Sequence, residues 1–141
     1  MTTTEAAADR TGTIEGGAVD RLLAGIVAGG VPTGVYAPDA EVDATVPGWR
    51  MVLRGEEAIL GEYARWFADP ARFAELRRIP TADGEVVEYL LTWEQDGEPF
   101  AAHHAHLLTV VDDRITADHV FCGGRWSGEL LAQIDVATHA G

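Results

Sequence analysis

The sequence of 141 residues contains no lysine and only one cysteine, Cys122. Without lysine, no side chain of the protein can form a Schiff base with a carbonyl substrate. A single cysteine excludes the framework of intrachain disulfides that holds many small secreted domains together. The 10 basic residues are all arginines and are outnumbered by 23 acidic residues, so the net charge is −13. Because a phosphate backbone is bound by a basic face, this balance excludes nucleic acid as a partner.

Long apolar runs are also missing. No stretch approaches the roughly 20 residues with which a helix crosses a bilayer, so we expect no membrane partner. Residues 1–10 lack the basic start and apolar run of a signal peptide, which favours a cytoplasmic protein. With 47% apolar residues, the chain can bury the core of one domain. We predict a flexible arm over residues 1–17 and a single domain over residues 18–138.

Two amphipathic helices are predicted in the N-terminal half. Residues 18–28 carry apolar side chains at spacings of three and four, and the glycine pair at 29–30 ends this helix. Residues 56–68 repeat the pattern, with acidic side chains in the first turn that suit the helix dipole. Asp69-Pro70 ends the second helix, because a proline disfavours helical geometry in the residue before it. Each helix therefore has one apolar face for a core.

Strand patterns account for most of the remaining sequence. Residues 41–46 alternate, with Val42, Ala44 and Val46 on one face, and residues 49–54 predict a second short strand. Before them, Ala37-Pro38-Asp39 predicts a turn. An antiparallel meander follows, whose strands cover residues 72–80, 85–95, 99–111 and 115–122. Its joints are Asp83-Gly84, Asp96-Gly97 and Asp112-Asp113, and the first two are strong hairpin signals.

The end of the sequence predicts one more helix. Gly123-Gly124 is expected to end the last strand in a turn, and Ser127 is a suitable N-cap for a short helix over residues 129–136. The predicted fold class is therefore α+β. A curved antiparallel sheet is covered by the N-terminal helices, and the two layers enclose a pocket.

Three short sequences accompany this order of elements. They are Tyr36-Ala37-Pro38-Asp39-Ala40 followed by Val42 and Asp43, then Arg54-Gly55-Glu56-Glu57-Ala58-Ile59, and lastly Asp113-Arg114-Ile115. Together with the order helix, strand pair, helix and meander, they resemble the nuclear transport factor 2-like superfamily, in particular its SnoaL-like branch. The resemblance covers residues 18–126.

The resemblance implies a cone-shaped fold with a small-molecule pocket and a homodimer formed through the sheet. Members include ketosteroid isomerase, limonene-epoxide hydrolase, scytalone dehydratase and polyketide cyclases, together with binding proteins that have no catalytic activity. It therefore implies a hydrophobic small molecule as substrate or ligand and no cofactor. Fold alone does not name the reaction.

The known active sites of this superfamily match the sequence only in part. The position of the ketosteroid isomerase base corresponds to Ala44, and Asp43 does not replace it, because a one-residue shift turns a strand side chain to the opposite face. The Arg-x-Asp pair of the epoxide hydrolases corresponds to His104-x-His106, which argues against that mechanism. Scytalone dehydratase, which uses histidines with tyrosine and aspartate, is the closer analogy.

Three of the five histidines lie close together, at positions 103, 104 and 106. Strand alternation puts His104 and His106 on one face, which we take as the pocket face, and His103 on the other. The next strand would add His119, on the same face as Phe121. Because imidazole titrates near neutrality, it can act as base or acid. We predict His106 and His119 as the catalytic pair, with His104 beside them.

Aromatic side chains on the predicted pocket face are candidates for substrate contact. Tyr63 or Tyr89 could hold a carbonyl or hydroxyl group, and an aromatic cavity with a few polar groups suits an apolar ligand that carries rings. Cys122 is predicted on the face opposite His119, without an activating partner. The full set of predicted substrate contacts is Trp49, Tyr63, Trp66, Tyr89, Trp93 and Phe121.

Several functions remain open at this point. The first is a cofactor-free acid–base enzyme, an isomerase, cyclase, dehydratase or hydrolase, acting on a polyketide-, terpenoid- or steroid-like molecule. The second is a noncatalytic protein that binds such a molecule, and the third is an interaction module that uses the sheet. The residue types of His104, His106 and His119 also suit zinc or iron, but their spacing is unspecific and no metal is expected.

Overall fold

A computed structural model describes residues 16–139. The predicted domain of residues 18–138 falls within this part, whereas the arm predicted over residues 1–17 lies outside it except for Gly16 and Gly17. In chain order the elements are α1 (Ala18–Ala28), β1 (Tyr36–Val46), β2 (Trp49–Arg54), α2 (Glu56–Trp66), β3 (Ala71–Pro80), β4 (Gly84–Gln95), β5 (Glu98–Val111), β6 (Arg114–Ser127) and α3 (Gly128–His139).

The six strands form one sheet in the order β2-β1-β6-β5-β4-β3. Strands β3 to β6 are the predicted antiparallel meander, and β1 and β2 form an antiparallel pair. The prediction of a wholly antiparallel sheet is wrong in one place, because β1 lies beside β6 and runs parallel to it. This pairing brings the start of the chain next to the last strand.

Helices α1 and α2 cover one face of the sheet, which we call the inner face. The core lies between these helices and the sheet, and its largest side chains are fully buried. Within residues 16–139, no helix is long and apolar enough to cross a membrane. The fully buried core side chains include Leu22, Ile26, Tyr36, Val42, Ile59, Tyr63, Val87, Tyr89, Ile115 and Val120.

All three predicted joints connect neighbouring strands, and two of them have positive φ angles at both joint residues. Asp96 and Gly97 connect β4 to β5 with φ angles of 55° and 79°, and Asp112 and Asp113 connect β5 to β6 with φ angles of 52° and 60°. Two consecutive residues with positive φ give a turn whose twist matches that of the flanking strands. These joints fix the register of the meander.

A first β-bulge in β6 changes which side chains face inward. Thr109 pairs with Ala117 and the next residue, Val110, pairs with Ile115, so Thr116 is an extra residue in β6. An extra residue reverses the alternation of a strand from that point onward. The inner face of β6 beyond the bulge is therefore formed by Asp118, Val120 and Cys122.

A second bulge lies near the end of β6. Ala102 pairs with Arg125 and His104 pairs with Cys122, so the pair Gly123-Gly124 lies opposite a single residue of β5. Gly124 has a φ of 106°, which a glycine adopts without strain. The predicted end of the strand at this glycine pair is therefore wrong, because β6 continues to Ser127.

The segments around Pro38 and Ser127 are predicted as a turn and as the start of a helix. The segment Ala37-Pro38-Asp39 does not form a separate turn but an irregularity inside β1, where the pairing with β6 shifts between Tyr36 and Glu41. The Ser127 hydroxyl accepts a hydrogen bond from the Leu130 amide at 3.3 Å, which confirms its predicted place at the start of α3.

Candidate functional site

A buried carboxylate, that of Asp118, lies at the centre of the inner face. The residue is 1% exposed. The Tyr36 hydroxyl donates to Oδ2 of Asp118 at 2.7 Å, and the Tyr63 hydroxyl lies 3.2 Å from the same oxygen. Asp118 faces inward because of the first bulge, Tyr36 begins β1 beside it, and Tyr63 reaches it from α2. Three elements therefore meet at one carboxylate.

A line of hydrogen bonds runs from Asp118 across β5 and β4. Nδ1 of His106 lies 3.0 Å from Oδ2 of Asp118, and Nε2 of the same ring lies 2.9 Å from the Tyr89 hydroxyl. The Tyr89 hydroxyl also lies 3.0 Å from Nδ1 of His104. All of these side chains are buried. We call the line Asp118–His106–Tyr89–His104 the relay.

The proton positions in the relay follow from what each group can donate. An ionised carboxylate only accepts, so His106 carries its proton on Nδ1 and its Nε2 accepts from the Tyr89 hydroxyl. The single proton of Tyr89 is then used, and its oxygen accepts from Nδ1 of His104. Nε2 of His104 is left as an unprotonated acceptor, and it has no hydrogen-bond partner among residues 16–139.

Burial supports this arrangement. It raises the pKa of the Tyr89 hydroxyl well above its ordinary value, chiefly by desolvation, with the nearby Asp118 charge adding to the effect. The pKa values of Tyr36 and Tyr63 are raised for the same reasons. Desolvation lowers the pKa of His104 to about 3, with a further contribution from His106. At neutral pH the tyrosines are therefore protonated donors and His104 is uncharged.

His104 connects the relay to a cavity of about 140 Å³. The ring of Trp66 from α2 and that of Trp93 from β4 form two of its walls, and Arg125 lies at its exposed end. Phe67 packs edge-on against the His104 ring at 5.9 Å and helps to hold it. The complete lining is Val46, Trp66, Leu91, Trp93, Ala102, His104, Cys122, Gly124 and Arg125.

The structure brings together two of the three predicted catalytic histidines. His104 and His106 face inward as predicted, and His103 faces outward, where it bonds to Glu88 at 2.8 Å. The predicted inward position of His119 is wrong. Its side chain is 56% exposed and its Nδ1 lies 3.9 Å from Oδ2 of Asp43 on the outer face. The bulge at Thr116 reverses the alternation on which that prediction rested.

The predicted substrate contacts divide into three groups. Trp66 and Trp93 line the cavity, as predicted. Tyr63 and Tyr89 lie behind it, in the hydrogen-bonded network around Asp118. Trp49 and Phe121 do not line the cavity, since they are 69% and 48% exposed. Phe121 follows the bulge and so faces outward, and Trp49 lies in the edge strand β2.

The bulge at Thr116 also changes the positions of Cys122 and of the three histidines considered as metal ligands. Cys122 lies opposite His119, as predicted, but on the cavity side, where burial raises the pKa of its thiol. A site formed by His104, His106 and His119 cannot assemble, because His119 lies on the other face of the sheet. Within residues 16–139 no cluster of three histidine, cysteine or acidic side chains has the geometry of a metal site.

Sequence reasoning did not identify Asp118 and Tyr36. A signal for the first was present, because Ile115 and Val120 are both apolar and lie an odd number of residues apart. Strict alternation cannot bury both, so a bulge between them was to be expected. Both side chains are in fact fully buried. No comparable signal marks Tyr36, whose position depends on the parallel pairing of β1 with β6.

Solved structures share this architecture. The structure named "Putative Isomerase from Bacillus subtilis" superimposes with a TM-score of 0.63 at 14% identity, over 75% of this chain and 84% of that one. A Catenulispora acidiphila protein with a ketosteroid isomerase-like fold, in complex with trimethylamine, gives 0.58 at 20% identity, over 82% and 90%. An NTF2-like protein from Burkholderia xenovorans gives 0.58 at 16% identity, over 82% and 91%.

The chain has the nuclear transport factor 2-like fold. The cone-shaped α+β architecture that the sequence resemblance implied is thereby confirmed. Neither a protein-family model nor a curated protein matches the chain. Because a fold of this kind does not determine a reaction, the function of the chain depends on the chemistry of its relay and cavity.

Proposed function

We propose that the protein is a cofactor-free acid–base enzyme that moves a proton on a small apolar molecule held against His104, in a reaction of the isomerase type. The observation that carries this proposal is the relay, which joins the cavity to a buried carboxylate through 3.0, 2.9 and 3.0 Å contacts. A purely structural role would not require one end of such a line to face a cavity.

The relay explains how a weakly basic imidazole can accept a proton. When Nε2 of His104 takes a proton from the substrate, Nδ1 gives one to Tyr89, and the Tyr89 proton passes to Nε2 of His106. The positive charge then lies on His106, 3.0 Å from the Asp118 carboxylate, rather than on His104. Opposite charges at this distance in a buried site stabilise one another strongly. Return of the proton to a different substrate atom completes an isomerisation.

The size of the cavity restricts the substrate. A cavity of about 140 Å³ is close to the roughly 150 Å³ that accommodates benzene in another protein. Sites for larger ligands occupy roughly 300–1,000 Å³. Among polyketide-, terpenoid- and steroid-like molecules, the candidate substrates are therefore those with one ring or a short branched chain.

Hydrogen exchange tests the proposal without knowledge of the full reaction. Small cyclic ketones and ring-bearing acids are incubated with the protein in D₂O, and deuterium incorporation next to the carbonyl group is followed by NMR. Catalysed exchange with at least one compound, lost in His104→Gln, is the expected result. Absence of catalysed exchange with every compound that binds contradicts the proposal.

One observation favours a noncatalytic binding protein of the same fold as the second candidate. A pKa of about 3 makes His104 a weak base on its own, and a fully hydrogen-bonded network can serve only to stabilise the fold. On this alternative, ligands bind to the wild type and to His104→Gln, and neither protein catalyses exchange.

A further inference from the structure

A positive charge lies at the exposed end of the cavity, and the acid–base chemistry does not use it. Arg125 lines the cavity together with His104 and Cys122. Arg125 lies three positions after Cys122, so regular alternation would place the two side chains on opposite faces. The bulge at Gly123-Gly124 turns Arg125 inward instead, opposite Ala102. The backbone of β6 thus places this charge beside the ligand space.

Two aromatic rings hold the Arg125 guanidinium group. Its Cζ atom lies 4.8 Å from the ring centre of Phe100 and 5.3 Å from that of Trp93. The two rings stack on each other at 6.0 Å and 17°. The guanidinium group also donates to the side-chain oxygen of Gln95. These contacts orient the group without neutralising its charge.

Within residues 16–139, six arginines have a carboxylate partner and three, Arg72, Arg114 and Arg125, have none; of these three, Arg125 lines the cavity. Ion pairs with carboxylates are formed by Arg21, Arg50, Arg54, Arg65, Arg77 and Arg78. In the part of the chain that the structure describes, Arg125 keeps no carboxylate partner even though the chain has a surplus of acidic residues. Its partners there are one side-chain amide and two aromatic rings, so some of its N–H groups are free to bind an anion.

We propose that the ligand is a small carboxylic acid whose carboxylate binds Arg125 and whose apolar body lies between Trp66 and Leu91, with its far end at His104. A planar guanidinium group matches one carboxylate with two parallel hydrogen bonds. A phosphate dianion would bring two charges to a single cation. This proposal names the class of substrate for the proposed function. It rests on that function in one respect, which is that the ligand reacts at the end that lies against His104.

Benzoate and benzamide test the proposal, because they have nearly the same shape and differ in charge. Their binding is measured by calorimetry at pH 7, with quenching of tryptophan fluorescence as a second readout. The wild type is expected to bind benzoate at least ten-fold more tightly than benzamide, and Arg125→Gln is expected to bind the two equally. Arg72→Gln removes an exposed arginine outside the cavity and is expected to keep the preference.

Equal binding of both probes to the wild type, no detectable benzoate binding, or a preference that persists in Arg125→Gln would each overturn the proposal. Circular dichroism verifies the fold of each variant. If Arg125→Gln does not fold, a salt titration of the wild type replaces it. The benzoate preference is then expected to fall several-fold between about 20 mM and about 500 mM salt, because screening weakens exposed charge pairs, and an unchanged preference counts against the proposal.

Benzoate binding and catalysed hydrogen exchange test the carboxylate proposal and the acid–base proposal separately. His104→Gln is expected to keep the benzoate preference, because the carboxylate binds at the other end of the cavity. If the wild type prefers benzoate but catalyses no hydrogen exchange, the result supports carboxylate binding and contradicts the proposal of an acid–base enzyme. A wild type that catalyses exchange without any preference for benzoate contradicts carboxylate binding alone.

Discussion

Nδ1 of His106 lies 3.0 Å from Oδ2 of Asp118, and neither side chain is exposed to solvent. A second histidine–carboxylate pair, His103 and Glu88, lies at a similar distance of 2.8 Å on the outer face, where both side chains are partly exposed. The two pairs have the same chemistry, but only the inner one is joined to the cavity by the relay. The outer pair therefore serves as a matched control.

Asp118→Asn should lower the rate of catalysed hydrogen exchange by roughly 100- to 10,000-fold, the usual contribution of general acid–base groups. The amide keeps the shape of the carboxylate but cannot stabilise a proton on His106. Glu88→Gln makes the same chemical change in the outer pair and should keep the wild-type rate. Rates measured by NMR in D₂O that fall equally in both variants would contradict the role of the relay.

The effect of replacing a histidine on the rate of hydrogen exchange should depend on the face of the sheet on which it lies. His106→Gln is expected to reduce exchange to a similar degree, because glutamine cannot carry a proton from Tyr89 to the Asp118 pair. His103→Gln and His119→Gln change exposed histidines of the outer face and should leave the rate within about two-fold, since surface changes are usually small. A large loss in His119→Gln would show that the outer face takes part in the reaction.

His104 should make the stability of the protein depend on pH. Its pKa of about 3 in the folded protein lies below the roughly 6.5 of an unfolded chain, so the unfolded state binds the extra proton between these values. The stabilisation is complete above pH 6.5 and is lost progressively as the pH falls towards 3. Between pH 7.5 and pH 5, the free energy of unfolding should fall by about 2 kcal/mol more in the wild type than in His104→Gln. Urea denaturation at both pH values measures the difference, and parallel losses would contradict it.

The two tyrosines at Asp118 should contribute unequally to stability. The Tyr36 hydroxyl lies 2.7 Å from Oδ2 of Asp118, whereas the Tyr63 hydroxyl lies 3.2 Å from the same atom and from the Tyr36 oxygen. Tyr36→Phe removes a short hydrogen bond to a charged group and should cost about 1.5–3 kcal/mol. Tyr63→Phe should cost about 0.5–1.5 kcal/mol. Urea denaturation at pH 7 ranks the two, and a larger loss in Tyr63→Phe would contradict the assignment of the main donor.

The fold could be predicted from local patterns because turns and alternation are local properties. Asp96-Gly97 and the alternation of β5 placed His104 and His106 correctly. The site was predicted less completely, because one extra residue at Thr116 reverses the faces of all that follows. This reversal brings in Asp118 and turns His119 outward. A second bulge brings in Arg125, for which the Gly123-Gly124 pair was the available signal.

The parallel neighbour of β6 is a different kind of omission. Tyr36 reaches Asp118 only because β1 lies beside β6, and the two residues are 82 positions apart in the chain. Periodicity and turn residues describe contacts between neighbours in sequence. They carry no information about which distant strands pair, so this part of the network required the tertiary structure.

We expect two copies of the chain to form a homodimer through the outer face of the sheet. Ile79, Leu107 and Phe121 are 46%, 43% and 48% exposed there, and they belong to continuous rows of cross-strand neighbours on strands β3 to β6. Apolar side chains grouped on an uncovered sheet face are typical of an interface.

Light scattering after gel filtration at about 10 µM should give twice the mass of one chain, and Leu107→Asp should shift it to the mass of one chain. Val136→Asp places the same charge at an exposed apolar residue of α3 and should remain dimeric. A wild type with the mass of one chain, or dissociation by Val136→Asp alone, would show that the sheet does not form the contact.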